Sequence, residues 1–198
     1  MTDAFPTWIA SLTASEQRWL AGLLILAVLV MLMYLFRDPL GYWKEGRRIT
    51  HAAKRLGARM LRDVRLPDGM GGKISIDYLL LASDAILVIG VKRYDGLIFG
   101  SAQTDTWTQV INSRSYKFPN PDTYLKQQIS AIRIIAPKVP VRGLHLFTDK
   151  AVFPKDKPRN VLQAKDLRSN FRRPKVKDIP APLRTAWTQL TASLNSGQ

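Results

Sequence analysis

The stretch from Ile74 to Gly96 constrains the fold more than any other part of the chain. It reads ISIDYLLLASDAILVIGVKRYDG. Two apolar runs of strand length flank Ser83-Asp84, so the pattern predicts two β-strands joined by a short turn. One acid, Asp77, lies inside the first run, and Lys92 ends the second. Charges among Ile, Leu and Val cost free energy to bury unless they meet each other, a metal or a phosphate. The stretch therefore predicts a functional site as well as a core.

Further apolar runs predict the other elements of the domain. Alternation indicates strands at Met60–Leu66, Trp107–Ile111 and Val141–Phe147, and His145 is interpreted as an ordinary residue of the last of these. A helix capped by Asn120 or Asp122 is expected to run to about Ile135. A helix that lies between strands in sequence favours an α/β layer arrangement.

The run from Trp19 to Phe36 holds eighteen residues without a charge. As a helix it spans roughly 27 Å, close to the ~30 Å hydrocarbon core of a bilayer, so it predicts a transmembrane helix. A cleaved signal peptide is the alternative. The run is longer than a usual signal-peptide core, and large residues precede Arg37 where small ones mark cleavage.

The basic residues around this run predict an orientation. Only Arg18 precedes it, whereas six lysines and arginines follow within about twenty residues: Arg37, Lys44, Arg47, Arg48, Lys54 and Arg55. The positive-inside rule places the C-terminal domain in the cytoplasm, beneath a plasma membrane of the bacterial type. The absence of cysteine agrees with a reducing compartment. The expected organisation is a short extracytoplasmic segment (1–18), a membrane helix (19–36), a basic domain (37–178) and a C-terminal amphipathic helix (179–198).

Net charge points to polyanionic partners. The chain carries 30 lysines and arginines against 15 acids, a net charge of +15. Nucleic acid and anionic lipid headgroups are the two candidates, and a solubilising surface is the alternative. Cations mix with aromatic rings in NSRSYKFPNP, which is expected to be a loop that suits a nucleic-acid strand. The candidate nucleic-acid contacts are Arg93, Arg114, Lys117, Arg172 and Arg173.

Several separated pieces together resemble a known family. They are LRDVRLPDG (61–69), IDYLLL (76–81), ILVIGVKRYDGLIFGS (86–101), Trp107, Asn120-Pro121 and LHLFTDKAVFPKDKP (144–158). Their order across about 110 residues is similar to the nuclease-related (NERD) domain, a branch of the PD-(D/E)xK nuclease superfamily. The resemblance implies an α/β fold of the restriction-endonuclease-like (PD-(D/E)xK) type, with a central mixed sheet flanked by helices.

The resemblance also implies a site. Such nucleases carry a metal-binding Asp on one strand and Glu-x-Lys on the next, which correspond here to Asp77 and Gly90-Val91-Lys92. Asp77 would then bind Mg²⁺ and Lys92 would act on the phosphate, while Gly90 stands where the second acidic ligand is expected. The chain also lacks the Gly-Glu pair of the first helix and has Tyr124 in place of a Gln. The resulting expectation is a membrane-anchored, nucleic-acid-binding domain with impaired catalysis.

Two other functions stay open from the sequence. One is an active Mg²⁺-dependent nuclease, hydrolysing phosphodiester bonds of DNA or RNA, in which Asp84, Asp95 or Glu45 replaces the missing acid. The other is a non-catalytic membrane scaffold that binds anionic lipid or a protein partner. A second carboxylate oxygen within about 5 Å of the Asp77 carboxylate would favour the first, because both could then share one Mg²⁺.

Overall fold

The computed structural model describes residues 13–67, 71–167 and 173–196, and within the helices it does not describe the side chains of residues 14, 16, 17, 35–40, 42, 195 and 196. The chain divides into two compact units, Met1–Gly46 and Arg47–Gln198. The elements of the described residues follow in chain order: α1 Ala14–Leu56, β1 Arg59–Pro67, β2 Lys73–Leu81, β3 Ile86–Lys92, β4 Gly96–Phe99, β5 Thr106–Ile111, β6 Arg114–Pro119, α2 Pro121–Ile135, β7 Val141–Phe147, β8 Ala151–Val152, β9 Val161–Gln163, a short 3-10 helix Val176–Asp178 and α3 Ala181–Ser196.

The first part of α1 carries the long apolar run. Its described side chains extend from Trp19 to Tyr34, about 24 Å of helix, and the large ones are exposed. Among the residues that the structure describes, no helix combines the length and the apolar character needed to cross a membrane. The transmembrane helix predicted over residues 19–36 therefore has no support from the structure, and the localisation derived from it stays a prediction.

Two sheets organise the second unit. The larger has the order β1-β2-β3-β7-β9, and the smaller has the order β6-β5-β4-β8. β1, β2 and β3 are antiparallel neighbours, whereas β3, β7 and β9 run parallel, so the larger sheet is mixed. The parallel step from β3 to β7 requires a crossover, and α2 lies within it. This mixed α/β arrangement of two sheets flanked by helices fits the predicted nuclease-like fold.

Helices cover both faces of the larger sheet. On one face, α2 and α3 bury a cluster that we call the α2 core: Val64, Ile76, Leu79, Ile86, Val88, Leu125, Ile132, Val141, Leu183, Trp187 and Leu190 are among its members. On the other face, the end of α1 buries the α1 core, which includes Ile49, Ala53, Leu56, Tyr78, Leu80, Leu87, Ile89 and Leu146. The two-residue period of a strand decides which core each side chain enters.

Candidate active site

β3 sets the direction of the central residues of the site. Ile86 and Val88 enter the α2 core, whereas Leu87 and Ile89 enter the α1 core. Continued alternation therefore turns Gly90 toward the α2 side of the sheet, together with Lys92, which is half-buried. The predicted hairpin is confirmed, since β2 and β3 pair from Leu81 and Ile86 outward.

Asp77 lies beside Gly90 on the neighbouring strand. The last register pair of the hairpin is Tyr78 with Ile89, and Asp77 and Gly90 are the next residues of their strands. The Asp77 carboxylate oxygen Oδ2 accepts a hydrogen bond of 2.6 Å from the backbone N–H of Val91. Strand alternation breaks at Asp77, because Ile76 and Leu79 enter the same core, so this hydrogen bond and not the strand period places the carboxylate beside β3.

The burial expected for the two charges is wrong. Asp77 is exposed and Lys92 only half-buried. Within the described part of the chain no ion pair joins them, because the Asp77 carboxylate turns onto the Val91 N–H instead. Neither group needs the other as a partner to offset a desolvation cost, so both remain accessible to a ligand.

Gly90 leaves an opening between its neighbours. A Cβ atom built there would lie 3.5 Å from Nδ1 of His145 and 3.9 Å from Cε of Lys92, which are ordinary contact distances. The Lys92 stem therefore runs past the point from which the missing acid would project. Position 90 tolerates a first side-chain atom, so the glycine is not imposed by local crowding.

His145 is a buried member of this site that the sequence had indicated only as a strand residue. It is the register partner of Gly90 on β7 and is 1% exposed. Its Nε2 lies 2.7 Å from Oδ1 of Asp122, and the Asn160 side chain donates to the same oxygen at 2.6 Å. A carboxylate oxygen only accepts, so Nε2 carries the proton and Nδ1 presents a lone pair. That Nδ1 is buried without a hydrogen-bond partner among the described residues.

The surroundings favour a neutral imidazole. Burial lowers the pKa of His145, and the charge of Lys92 adds to that effect, while the hydrogen bond and charge of Asp122 oppose it. The net direction is a pKa below the ordinary histidine value. The ring is therefore neutral at pH 7, with a lone pair on the nitrogen that faces Gly90.

α2 is tied to β2 close to Asp77. Asn120 caps the helix by accepting from the Asp122 N–H at 2.9 Å, as predicted. Gln128 donates to the Ser75 carbonyl at 2.6 Å, and the Tyr124 hydroxyl donates to the same carbonyl at 3.2 Å. Because Ser75 lies two residues before Asp77, these bonds hold α2 over the site.

Two of the acids proposed to replace the missing ligand, Asp84 and Asp95, are engaged in ion pairs. Asp84 forms a 2.7 Å ion pair with Arg142 at the turn of the hairpin, and Asp95 pairs with Lys150 at 3.5 Å. Glu45 lies in the first compact unit. Within the described residues there is no group of three or more His, Cys, Asp or Glu side chains that could hold a metal ion.

A further acid that the sequence did not single out lies next to Asp77. Asp63 on β1 faces it across the sheet, between the paired positions Arg62–Tyr78 and Val64–Ile76. Its φ of 51° is in the left-handed region, which bends the strand. Both strands change alternation here, since Ile76 and Leu79 enter the same α2 core. The bend explains why Asp77 is exposed.

The described residues among the predicted nucleic-acid contacts lie on different elements of the domain. Arg93 is exposed directly after Lys92 and so adjoins the site. Arg114 and Lys117 are three residues apart on β6, and alternation turns them to opposite faces of the smaller sheet. Arg173 donates to the carbonyl oxygens of Gly57 (3.2 Å) and Ala58 (2.9 Å), and Arg172 lies outside the described residues.

The predicted loop with cations and aromatic rings is wrong. Residues 114–119 form β6, which pairs with β5 through a turn at Asn112 and Ser113. Phe118 stacks on Tyr94 with ring centroids 4.4 Å apart and packs against the buried Trp107. The Phe118 ring therefore stabilises the core instead of offering a platform for bases.

The fold and the site together define a class of protein. A mixed α/β domain with an Asp on one strand and a Lys at the end of its hairpin partner fits a nuclease-like fold. The nuclease-related domain family matches residues 40–148, over half of the chain, so the chain belongs to the NERD family. This confirms the resemblance.

The chain is also similar to a relative over most of its length. An uncharacterized protein of Bacillus anthracis is 27% identical over 157 residues, which cover 73% of this chain and 74% of the relative. No solved structure matches the chain.

Proposed function

We propose that this nuclease-related domain binds nucleic acid at the site around Asp77, Gly90 and Lys92, with Mg²⁺-dependent cleavage impaired. The observation that carries the proposal is the Asp77 carboxylate on the Val91 N–H, which holds it beside β3, the strand that carries Gly90 and Lys92. The net charge of +15 favours association with a polyanion.

The residues of the site have separate roles in this proposal. The Lys92 ammonium neutralises a backbone phosphate, and the adjacent Arg93 adds a second exposed cation. Asp77 would supply one oxygen ligand to a Mg²⁺ ion. When bound, such an ion polarises a phosphoryl oxygen and activates water.

The ligand set present here fits Mg²⁺ poorly. Mg²⁺ prefers oxygen ligands in octahedral geometry, and Gly90 contributes none from its side chain. The nearest side-chain atom to position 90 is a nitrogen, Nδ1 of His145. We therefore expect the site to bind phosphate but to hydrolyse phosphodiester bonds inefficiently.

Oligonucleotide binding by the full chain tests the proposal. Fluorescence anisotropy with single- and double-stranded DNA and RNA, in EDTA across a salt series, should show affinity that falls steeply with salt. On linear DNA and RNA with Mg²⁺, the wild-type chain should leave most of the substrate intact. Binding of the chain to anionic vesicles but not to oligonucleotides would overturn the proposal. Rapid Mg²⁺-dependent cleavage that Asp77→Ala abolishes would also overturn it.

A further inference from the structure

We propose that His145 supplies the ligand that the site lacks, so that its Nδ1 and the Asp77 carboxylate together bind a divalent transition-metal ion over Gly90. The class of ion is Mn²⁺ or Co²⁺, in preference to Mg²⁺. This inference rests on the proposed function, because it assigns a metal preference to that same site.

The first argument is register. His145 is the register partner of Gly90 on β7, and on the other side of β3 Asp77 follows the last register pair of the hairpin, Tyr78 with Ile89. Asp77 Oδ2 accepts from the Val91 N–H at 2.6 Å, and His145 Nδ1 lies 3.5 Å from a Cβ built on Gly90. By backbone dimensions each ligand atom is within about 5 Å of the Gly90 Cα. The two donors therefore flank the same glycine from its two neighbouring strands.

The second argument is the state of the histidine. His145 is 1% exposed, yet its Nδ1 has no hydrogen-bond partner among the described residues, which is a costly arrangement for a buried polar atom. Its other nitrogen is oriented by Asp122, itself held by Asn160. Metal-ligating histidines almost always donate their second N–H to a carboxylate in this way. The ring is thus fixed with its lone pair turned toward the gap.

The third argument is chemical preference. Imidazole nitrogen suits first-row transition metals, whereas Mg²⁺ selects oxygen. Exchanging an acidic ligand for a histidine therefore moves the preference of the site away from Mg²⁺. With two protein ligands, the remaining coordination positions of the ion would be filled by water and by phosphate oxygens of a bound nucleic-acid strand.

Lys92 controls access to the nitrogen. Its Cε lies 3.9 Å from a Cβ built on Gly90, so the lysine stem and the His145 ring both border the space above this glycine. Lysine has a flexible four-carbon stem, and a half-buried one can swing aside when an ion enters. Its ammonium would then be free to meet a phosphate, which links metal entry to strand binding.

Metal binding by the chelator-treated full chain tests the inference. Isothermal titration calorimetry with MnCl₂, CoCl₂ and MgCl₂ should show one binding site per chain for Mn²⁺ and for Co²⁺. The affinity for Mg²⁺ should be at least about tenfold weaker. His145→Gln and Asp77→Asn should each weaken Mn²⁺ binding by about tenfold or more. His51→Gln, which alters an exposed histidine, is the matched control and should bind Mn²⁺ like the wild type.

A spectroscopic readout separates ligation from a structural role. With ¹⁵N-labelled histidine, Co²⁺ should shift or broaden the His145 Nδ1 signal and leave His51 unchanged. Thermal unfolding of each variant shows whether His145→Gln still folds, and the exposed Asp77→Asn substitution keeps the test decisive if it does not. Mn²⁺ isotherms that are equal in the wild type and Asp77→Asn, or no Mn²⁺ binding at all, would overturn the inference.

Failure here is distinguishable from failure of the proposed function. Oligonucleotide binding is measured in EDTA on the same preparations. Salt-dependent binding without a Mn²⁺ site refutes only the metal inference. A Mn²⁺ site without oligonucleotide binding refutes the proposed function and leaves the ligand assignment intact.

Discussion

Gly90 and His145 are register partners on adjacent parallel strands, and a Cβ atom at position 90 would lie 3.5 Å from the His145 Nδ1. The family's acidic ligand would project from this point. The contact is an ordinary one, so position 90 can accept the first atom of a side chain without displacing the strand. The effect of restoring that side chain can therefore be measured directly.

Gly90→Glu should produce Mg²⁺-dependent cleavage of linear DNA or RNA. The substitution adds a second carboxylate on the strand next to that of Asp77 and two residues before Lys92, which would supply Mg²⁺ with a second oxygen ligand. We expect cleavage at least about tenfold above the wild type, as each 1.4 kcal/mol of transition-state stabilisation changes a rate by that factor. Gel assays with and without Mg²⁺ measure it.

Gly90→Gln is the matched control for this change. Glutamine has nearly the same size but no charge, so it should leave cleavage at the wild-type level. Equal cleavage by the Glu and Gln variants would contradict the assignment of position 90 as a lost metal ligand.

Lys92→Met should weaken nucleic-acid binding and make it less sensitive to salt. If the ammonium neutralises one phosphate, its removal should reduce the slope of log K against log salt by about 1. Lys138→Met alters an exposed lysine before the start of β7, at the far end of the strand from His145. An equal slope change in both variants would show that Lys92 only contributes to the general charge.

Much of the site's framework could be predicted from the sequence. The hairpin follows from two apolar runs around Ser83-Asp84, and the two-residue period places Gly90 and Lys92 on one face. The helix cap at Asn120 followed from local side-chain chemistry. These features depend on neighbours within a few residues, which a sequence displays directly.

Other parts of the site depend on tertiary contacts that no local pattern displays. His145 meets Asp122 and Asn160 only after α2 and β9 pack against β7, so its orphaned nitrogen could not be inferred. The exposure of Asp77 follows from the bend at Asp63, whose positive φ has no glycine to signal it. The strand β6, which the sequence predicts as a loop, does have a local signal. Asn is a common residue in tight hairpin turns, and Asn112 and Ser113 take the positive φ of such a turn just before β6.

Asp166→Asn should lower stability at pH 7 and have less effect in acid. Partial burial alone would raise the pKa of Asp166. The hydrogen bonds from Lys157 and the Gln163 N–H, together with the charges of Lys157 and Lys165, outweigh it and lower the pKa. A folded-state pKa below the unfolded value stabilises the fold above the unfolded pKa, and that stability is lost as pH falls through the folded pKa.

Asp166→Asn should lower the free energy of unfolding by about 1 kcal/mol at pH 7, a modest amount because the carboxylate is partly exposed. Urea denaturation at pH 7 and near pH 3 measures it. Asp156→Asn, an exposed acid in the same segment, should show little change at either pH. A cost for Asp166→Asn that is the same at both pH values would contradict the pKa direction.

Gly143→Ala should destabilise the domain, whereas Gly90→Ala should not, although both glycines face the α2 side of the sheet. A Cβ at Gly143 would lie 2.6 Å from the Leu125 Cγ and 2.8 Å from the Ile129 Cδ1, so α2 must move away. Overpacking of this kind costs about 1–3 kcal/mol. At Gly90 the contacts of 3.5 Å and 3.9 Å need no such shift. Urea denaturation of both variants measures the difference, and equal stability would show that α2 does not rest directly on β7.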